Sequence, residues 1–348
     1  MAERPLNAWV LSDGRPGHYN QARGILQALR RIRPVEVSWI DAKLRLGLAR
    51  NLLRSVLNGS QAPRSLWPLR LVYRFDALPE TRCDLIVSAG GKTSFANAWL
   101  AAVLKVPNLY AGSLRGLSAR RFAVVLTLEP VPGAAANLVV PLPPSALDSD
   151  EADRLGAAFR RRLGPPGQRY WTLLVGGDGA GYRYAPEDWV ALARLINSVA
   201  RRHQIRWLLV SSRRTGRRAE ALLKQHVDSS VRAAACWFQD REEYRAEAWL
   251  GAAEYIFVTE DSMTMLTEAA SARRPIHSLR PATAAPAQRY EQALERFAGQ
   301  GWLCRHRIAD LAGQPETLNA QHCQPLAASP TQWLADRLRE RLGLTESL

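Results

Sequence analysis

The chain has 348 residues, is 47% hydrophobic and carries a formal net charge of +15, with a pI near 10.4. That length exceeds one ordinary core and suits two domains of about 150 residues each, and no apolar run approaches the roughly 18 residues that span a bilayer. The excess of base calls for an anionic partner, which leaves nucleic acid, anionic lipid and nucleotide-linked substrates as the candidate classes. Met1 to Asn7 lack the apolar core of a signal peptide, so a cytoplasmic location is the default expectation. Cys83, Cys236, Cys304 and Cys323 show no paired spacing and are expected as reduced thiols. Cys304-x-His306 and His322-Cys323 could be assembled into a zinc site, but neither pair has the usual finger spacing, so no metal is expected.

In chain order, the apolar run Ala8 to Leu11 predicts a first strand, followed by a polar loop holding Asp13, His18 and Asn20 and a helix from about Gln21 to Arg31. Val35 to Ile40 is the next strand. From Ala42 to Phe75 there are seven Lys/Arg and no Asp/Glu, interleaved with Leu, Val, Trp67 and Tyr73. A helix from Lys43 to Leu57 would set Lys43, Arg50 and Arg54 on one face and Leu44, Leu48, Leu52, Leu53 and Val56 on the other. That pattern fits an anionic membrane surface, and it equally fits an ordinary surface helix. Strands over Leu85–Ser88, Leu109–Ala111 and Phe122–Leu126 follow, with a helix after Gly90-Gly91-Lys92-Thr93-Ser94. This alternation predicts a parallel sheet.

The prolines and acids between Pro141 and Asp150 break the pattern, and a second α/β run begins beyond them. Trp171–Val175 leads to Gly176-Gly177 and a helix from Pro186 to about Arg202, and Arg206–Val210 leads to Ser211 through Thr215 and another helix. Tyr255–Val258 runs into Glu260, Asp261, Ser262 and Met263, which open a helix to about Ala272, and Ile276–Leu279 is a further strand. Pro330–Leu342 is the last helix. The expected fold class is α/β, with two Rossmann-like doubly wound domains facing a cleft. The expected boundaries are a first domain over 1–148, a linker over 149–168, a second domain over 169–325 and a C-terminal helical segment over 326–348 that packs back on the first.

Several phosphate motifs fail. Gly91-Lys92-Thr93 imitates the end of a P-loop, but Ile86 stands where its first glycine belongs. Gly177-x-Gly179-x-Gly181 ends on Tyr182, and Ser211-Ser212 replace the acid that binds ribose in nicotinamide enzymes. Asp148-Ser149-Asp150 reads as a turn. What survives is a set of strand-end loops. Asp13, His18, Asn20 and Gly90 to Thr93 belong to the first domain. Gly176 and Gly177 permit close backbone approach, Ser212, Arg213, Arg214 and Thr215 offer charge and donors for a diphosphate, and Glu260 to Met263 precede a helix N-terminus in the second. Glu268, two turns into that helix, is within reach of a ribose hydroxyl pair.

Asp13-x-x-x-Gly17-His18-x-Asn20-Gln21, Ser212-Arg213-Arg214-Thr215 and the stretch from Val258 through Glu268-Ala269 resemble the ELM1 family, named from a plant mitochondrial fission factor. The resemblance implies a GT-B glycosyltransferase. The first domain would then take the acceptor, with His18 or Asp13 as base and Asn20, Gly90, Gly91, Lys92 and Thr93 on the acceptor side. The second would bind a nucleotide-sugar, with Arg213, Thr215 and the amides near Ser262 steadying the diphosphate and Glu268 on the ribose. No bound cofactor or metal is implied. Lys43, Arg50 and Arg54 would bring the enzyme, as a peripheral protein, to a lipid-linked or lipopolysaccharide-type acceptor; no nucleic acid is expected. The alternative is a non-catalytic membrane adaptor on the same fold.

Overall fold

The computed structural model describes residues 4–45, 50–75, 78–318 and 323–344. The chain divides into two units, residues 1–146 with 330–348, and residues 147–329.

In the first unit the apolar run at the N-terminus forms β1 (Leu6–Ser12), followed by α1 (Pro16–Arg30), which Pro16 starts from its first turn. The unit continues with β2 (Val35–Leu44), α2 (Arg50–Asn58), α3 (Trp67–Val72), β3 (Tyr73–Phe75), β4 (Leu85–Ala89), α4 (Ser94–Leu104), β5 (Asn108–Ala111), β6 (Val124–Thr127) and β7 (Asn137–Val139). The strands lie in the order β3-β2-β1-β4-β5-β6-β7, all parallel except the short β3. β4 and β5 are buried at every residue, as strands covered on both faces must be. The chain winds outward from β1 on one side and then from β4 on the other, so the switch in direction falls between the carboxyl ends of β1 and β4.

One sequence expectation fails here. Lys43 belongs to β2, not to a helix, because β3 pairs with Ala42 to Leu44 and keeps that segment extended. Its ammonium lies 3.3 Å from Asp41. The helix begins at Arg50, and residues 46–49, Leu48 among them, lie outside the described residues. Leu53 and Leu57 of α2 pack inward, whereas Leu52 and Val56 face solvent.

The second unit holds α5 (Ser149–Leu163), β8 (Arg169–Val175), β9 (Tyr182–Arg183), α6 (Pro186–His203), β10 (Ile205–Ser211), α7 (Gly216–His226), β11 (Arg232–Cys236), α8 (Ala246–Ala252), β12 (Ile256–Thr259), α9 (Met263–Ser271), β13 (Ile276–Arg280), β14 (Thr283–Ala284), α10 (Gln288–Gly299), β15 (Leu303–Arg307) and α11 (Ile308–Gly313). Its parallel sheet runs β11-β10-β8-β12-β13-β15, with the switch between β8 and β12. The expected linker over 149–168 is largely helix: Asp148, which reads as part of a turn, accepts from the amides of Asp150 and Glu151 and caps α5. α5 then packs on α8 so closely that a Cβ on Gly251 would stand 1.8 Å from the Ala152 carbonyl oxygen.

The chain ends in α12 (Pro330–Leu342), which returns to the first unit and buries Leu334, Ala335 and Leu338 against Ile25 and Leu29 of α1. The reading of all four cysteines as reduced thiols is also corrected. Cys304 of β15 and Cys323 are joined in a disulfide, their Cα atoms 5.8 Å apart, and Cys83 and Cys236 are free. Separated by 19 residues, this pair offers no sequence signature. Among the described residues no helix is long and apolar enough to cross a membrane.

Candidate functional site

The clearest chemistry in the first unit sits at its switch point. Asp13 follows β1 and is buried, its side chain 2% exposed, and both of its oxygens lie 3.0 Å from His18 Nδ1 in the first turn of α1. The Arg15 amide also donates to Asp13. A carboxylate on Nδ1 fixes the imidazole so that Nε2 is the basic nitrogen. The His18 ring rests on the backbone after β4, where Gly90 has φ +85° and a Cβ would come within 2.1 Å of Nδ1. Glycine is therefore required twice over at this position, by its conformation and by the ring.

The other acceptor-side expectations divide. Lys92 is exposed, and its carbonyl accepts from Tyr73. Thr93 is fully buried, and its hydroxyl donates to the carbonyls of Ala89 and Gly90, so it holds the turn together and faces no ligand. Asn20 accepts from the Ala146 amide at 3.3 Å and ties α1 to the end of the unit. Gly91 lies against the Arg115 guanidinium, with 1.8 Å between a built Cβ and Nε. Arg115 is a cation at this site that the sequence reading missed. Its place a few residues past β5 would have found it by the same strand-end rule.

In the second unit the same logic gathers the loops after β8, β10 and β12. The glycines after β8 serve the protein's own packing: a Cβ on Gly176 would meet the Asp261 carboxylate at 2.2 Å, and one on Gly177 the Arg214 carbonyl at 2.0 Å. Thr215 is buried, donating to the carbonyls of Val175 and Gly176 while accepting from the Ser212 amide. It locks the turn rather than offering its hydroxyl outward. Arg213 is exposed at the tip of that turn, and Arg214 folds back to pair with Asp261 at 2.9 Å. Burial raises the Asp261 carboxyl despite the opposing pull of Arg214. Tyr184 donates to the same carboxylate at 3.2 Å.

Glu260 must be removed from the ligand-facing set. It is fully buried, accepting from Arg305 through two nitrogens at 2.9 and 3.0 Å, from Ser278 at 2.8 Å and from Tyr182 at 3.1 Å. Burial alone would raise its carboxyl, but the hydrogen bonds and charge of Arg305, with Ser278 and Tyr182, hold it below the usual range. Neither Glu260 nor Asp261 caps α9. Ser262 does, accepting from the Met265 amide at 3.4 Å. Met263 begins the helix and Glu268 lies in its second turn, both half-buried. Arg305 was missed because β15 reads as a polar connection.

A second group of side chains lies on β13 and β15. His277, Cys304 and Cys323 bring potential ligand atoms within 4.8 Å of one another, and His277 Nδ1 lies 3.0 Å from His306 Nε2. His322 lies outside the described residues.

Two α/β units with parallel sheets, each with polar loops at its switch point, define a fold of the GT-B type. Similar solved structures include MurG from Acinetobacter baumannii, at TM-score 0.52 and 14% identity over 97% of this chain and 100% of that one. Another is the UDP-GlcNAc 2-epimerase from Methanocaldococcus jannaschii, at 0.57 and 13% over 98% and 100%. S. aureus MnaA, solved with UDP, matches at 0.53 and 11% over 98% of each chain. At these identities the likeness is one of fold. The model of the mitochondrial fission ELM1 family matches residues 118–342, and the chain belongs to that family. No curated protein matches the chain.

Proposed function

We propose that the protein is a glycosyltransferase that moves a sugar from a nucleotide-sugar to the hydroxyl of a membrane-associated, lipid-linked or lipopolysaccharide-type acceptor. The observation that carries this reading is the Asp13–His18 pair: a buried carboxylate on Nδ1 leaves Nε2 to take the acceptor proton. As the acceptor oxygen bonds to the sugar, the bond to the diphosphate breaks and negative charge collects on the leaving group. Arg213 and the amides opening α9 are the protein groups that would compensate it, with Glu268 on the ribose. This division of labour asks for no metal in the reaction. The UDP bound by MnaA, a protein of the same fold, supports a nucleoside diphosphate as ligand.

Thermal unfolding against UDP, GDP, CMP, dTDP, ADP and their sugar conjugates, without magnesium, tests the donor. One nucleotide series at a hundredfold excess over its Kd is expected to raise the midpoint on the order of 5 °C. No response at millimolar ligand would sink the transferase reading and favour the membrane adaptor.

The membrane part rests on α2 and α3. Leu52, Trp67 and Leu71 are 67%, 68% and 52% exposed on helices that also carry Arg50, Arg54 and Arg70. Apolar side chains beside cations suit an anionic headgroup layer. Replacing Arg50 and Arg54 with Gln and Trp67 with Ser is expected to weaken co-sedimentation with anionic vesicles by about tenfold; unchanged binding would remove the membrane from the proposal.

A further inference from the structure

The cysteine and histidine cluster of the second unit has no role in the sugar transfer proposed above. β13 and β15 run side by side with His277 opposite Cys304 and, two positions further, Leu279 opposite His306. Cys304 and His306 therefore share the face of the sheet that carries His277. Ser278, which donates to Glu260, lies on the other face of β13. The cluster is thus separated by the sheet from the buried Glu260–Arg305 network. Cys323 comes up against the same edge, its Sγ 3.1 Å from the Ile276 carbonyl oxygen.

Two observations point to this cluster as a candidate ligand site. Both sulfurs and a ring nitrogen of His277 lie within 4.8 Å of one another, a spacing that modest side-chain shifts convert into a shared coordination sphere. Separately, His277 is fully buried, and its Nε2 has no hydrogen-bond partner among the described residues. An orphaned buried nitrogen is costly, and a metal ion is one group that satisfies it without donating a proton. His306 Nε2 lies 3.0 Å from His277 Nδ1, a contact that fixes the orientation of the buried ring.

We propose that in the reduced protein Cys304, Cys323 and His277 bind a zinc-class divalent cation, with His306 positioning the imidazole. Two thiolates and an imidazole are the borderline-soft donors that select zinc, and without carboxylate oxygens the set disfavours calcium and magnesium. The disulfide and the metal site are alternative states of the same sulfurs. A dithiol or phosphine reductant supplies two electrons, and two protons complete the thiols. Metal binding then forms two metal–sulfur bonds and releases both protons.

The test uses the full chain, reduced and kept from air, mixed with one equivalent of zinc and passed through a desalting column. The expected result is one zinc retained per chain, and with cobalt in place of zinc the thiolate-to-metal absorption of a tetrahedral site. The chain with its disulfide intact is expected to retain none. Cys304→Ser is expected to lose retention, and His306→Gln, which keeps both sulfurs, to weaken binding by roughly ten- to hundredfold. Thermal unfolding of each metal-free variant confirms folding, and His306→Gln carries the test if Cys304→Ser does not fold. No retained metal in the reduced chain, or equal retention by a folded Cys304→Ser, would overturn the proposal.

Discussion

His18→Ala is expected to lower the rate of sugar transfer by about 10²–10⁴-fold, the range that a positioned base contributes, with nucleotide-sugar binding unchanged. The expectation follows from how the imidazole is held. Both oxygens of a buried carboxylate lie 3.0 Å from Nδ1, so the ring is oriented before any substrate arrives. The His18 side chain is still 27% exposed, so its removal opens a surface notch over Gly90 and no core cavity. Folding should therefore survive, which makes the rate interpretable. Asp13→Asn should also slow transfer, since an amide can present its N–H to Nδ1 and draw the basic nitrogen to the wrong side of the ring. Initial rates of nucleoside diphosphate release, with the donor found by thermal shift, decide the matter; a full rate from His18→Ala would leave the histidine as nothing more than a prop for the first turn of α1.

Arg305→Met should act on stability instead. Glu260 lies at 0% exposure, and two of its charge-assisted bonds come from that one guanidinium. Removing the cation leaves a buried carboxylate with only the hydroxyls of Ser278 and Tyr182 to compensate it. Orphaning one member of a buried ion pair costs about 3–5 kcal/mol, a large share of the roughly 5–15 kcal/mol that domains possess. Arg305 also holds Glu291 at 2.7 Å, although Arg280 lies 3.9 Å from the same carboxylate and softens that second loss. Denaturant unfolding measures the effect. Adding Glu260→Gln to Arg305→Met should restore part of the stability, and failure to restore any would show that Arg305 stabilises by packing rather than by charge.

These two sites differ in how far the sequence discloses them. Asp13 and His18 are five positions apart after an apolar strand, and a polar pair at such a junction is legible from local pattern alone. β1, β4, β8 and β12 are equally legible, because strands buried on both faces read as unbroken apolar runs. β15 is not. Its Leu-Cys-Arg-His-Arg holds charge because one arginine reaches a carboxylate brought there from β12, and no local rule anticipates that distant partner. For the same reason Glu260 passes for a helix cap. An acid just after a strand and just before a helix has that appearance, and only the folded sheet reveals Arg305 beside it. Segment 149–163 passes for a linker because the prolines before it signal irregular chain, while its apolar stripe awaits α8. Cys304 and Cys323 belong to the same class, partners by topology without a sequence signature.

The return of α12 to the first unit sets an order of events during synthesis. Residues 147–329 form an uninterrupted stretch that leaves the ribosome ahead of α12, so the second unit does not wait for that helix. The first unit, although translated earlier, cannot close. The faces of Ile25 and Leu29 that await Leu334, Ala335 and Leu338 stay wet until residues 330–342 have been made. The unit that is made first thus waits for a helix made after the second unit, and a nascent chain arrested before Pro330 would carry an exposed apolar flank for chaperones to find.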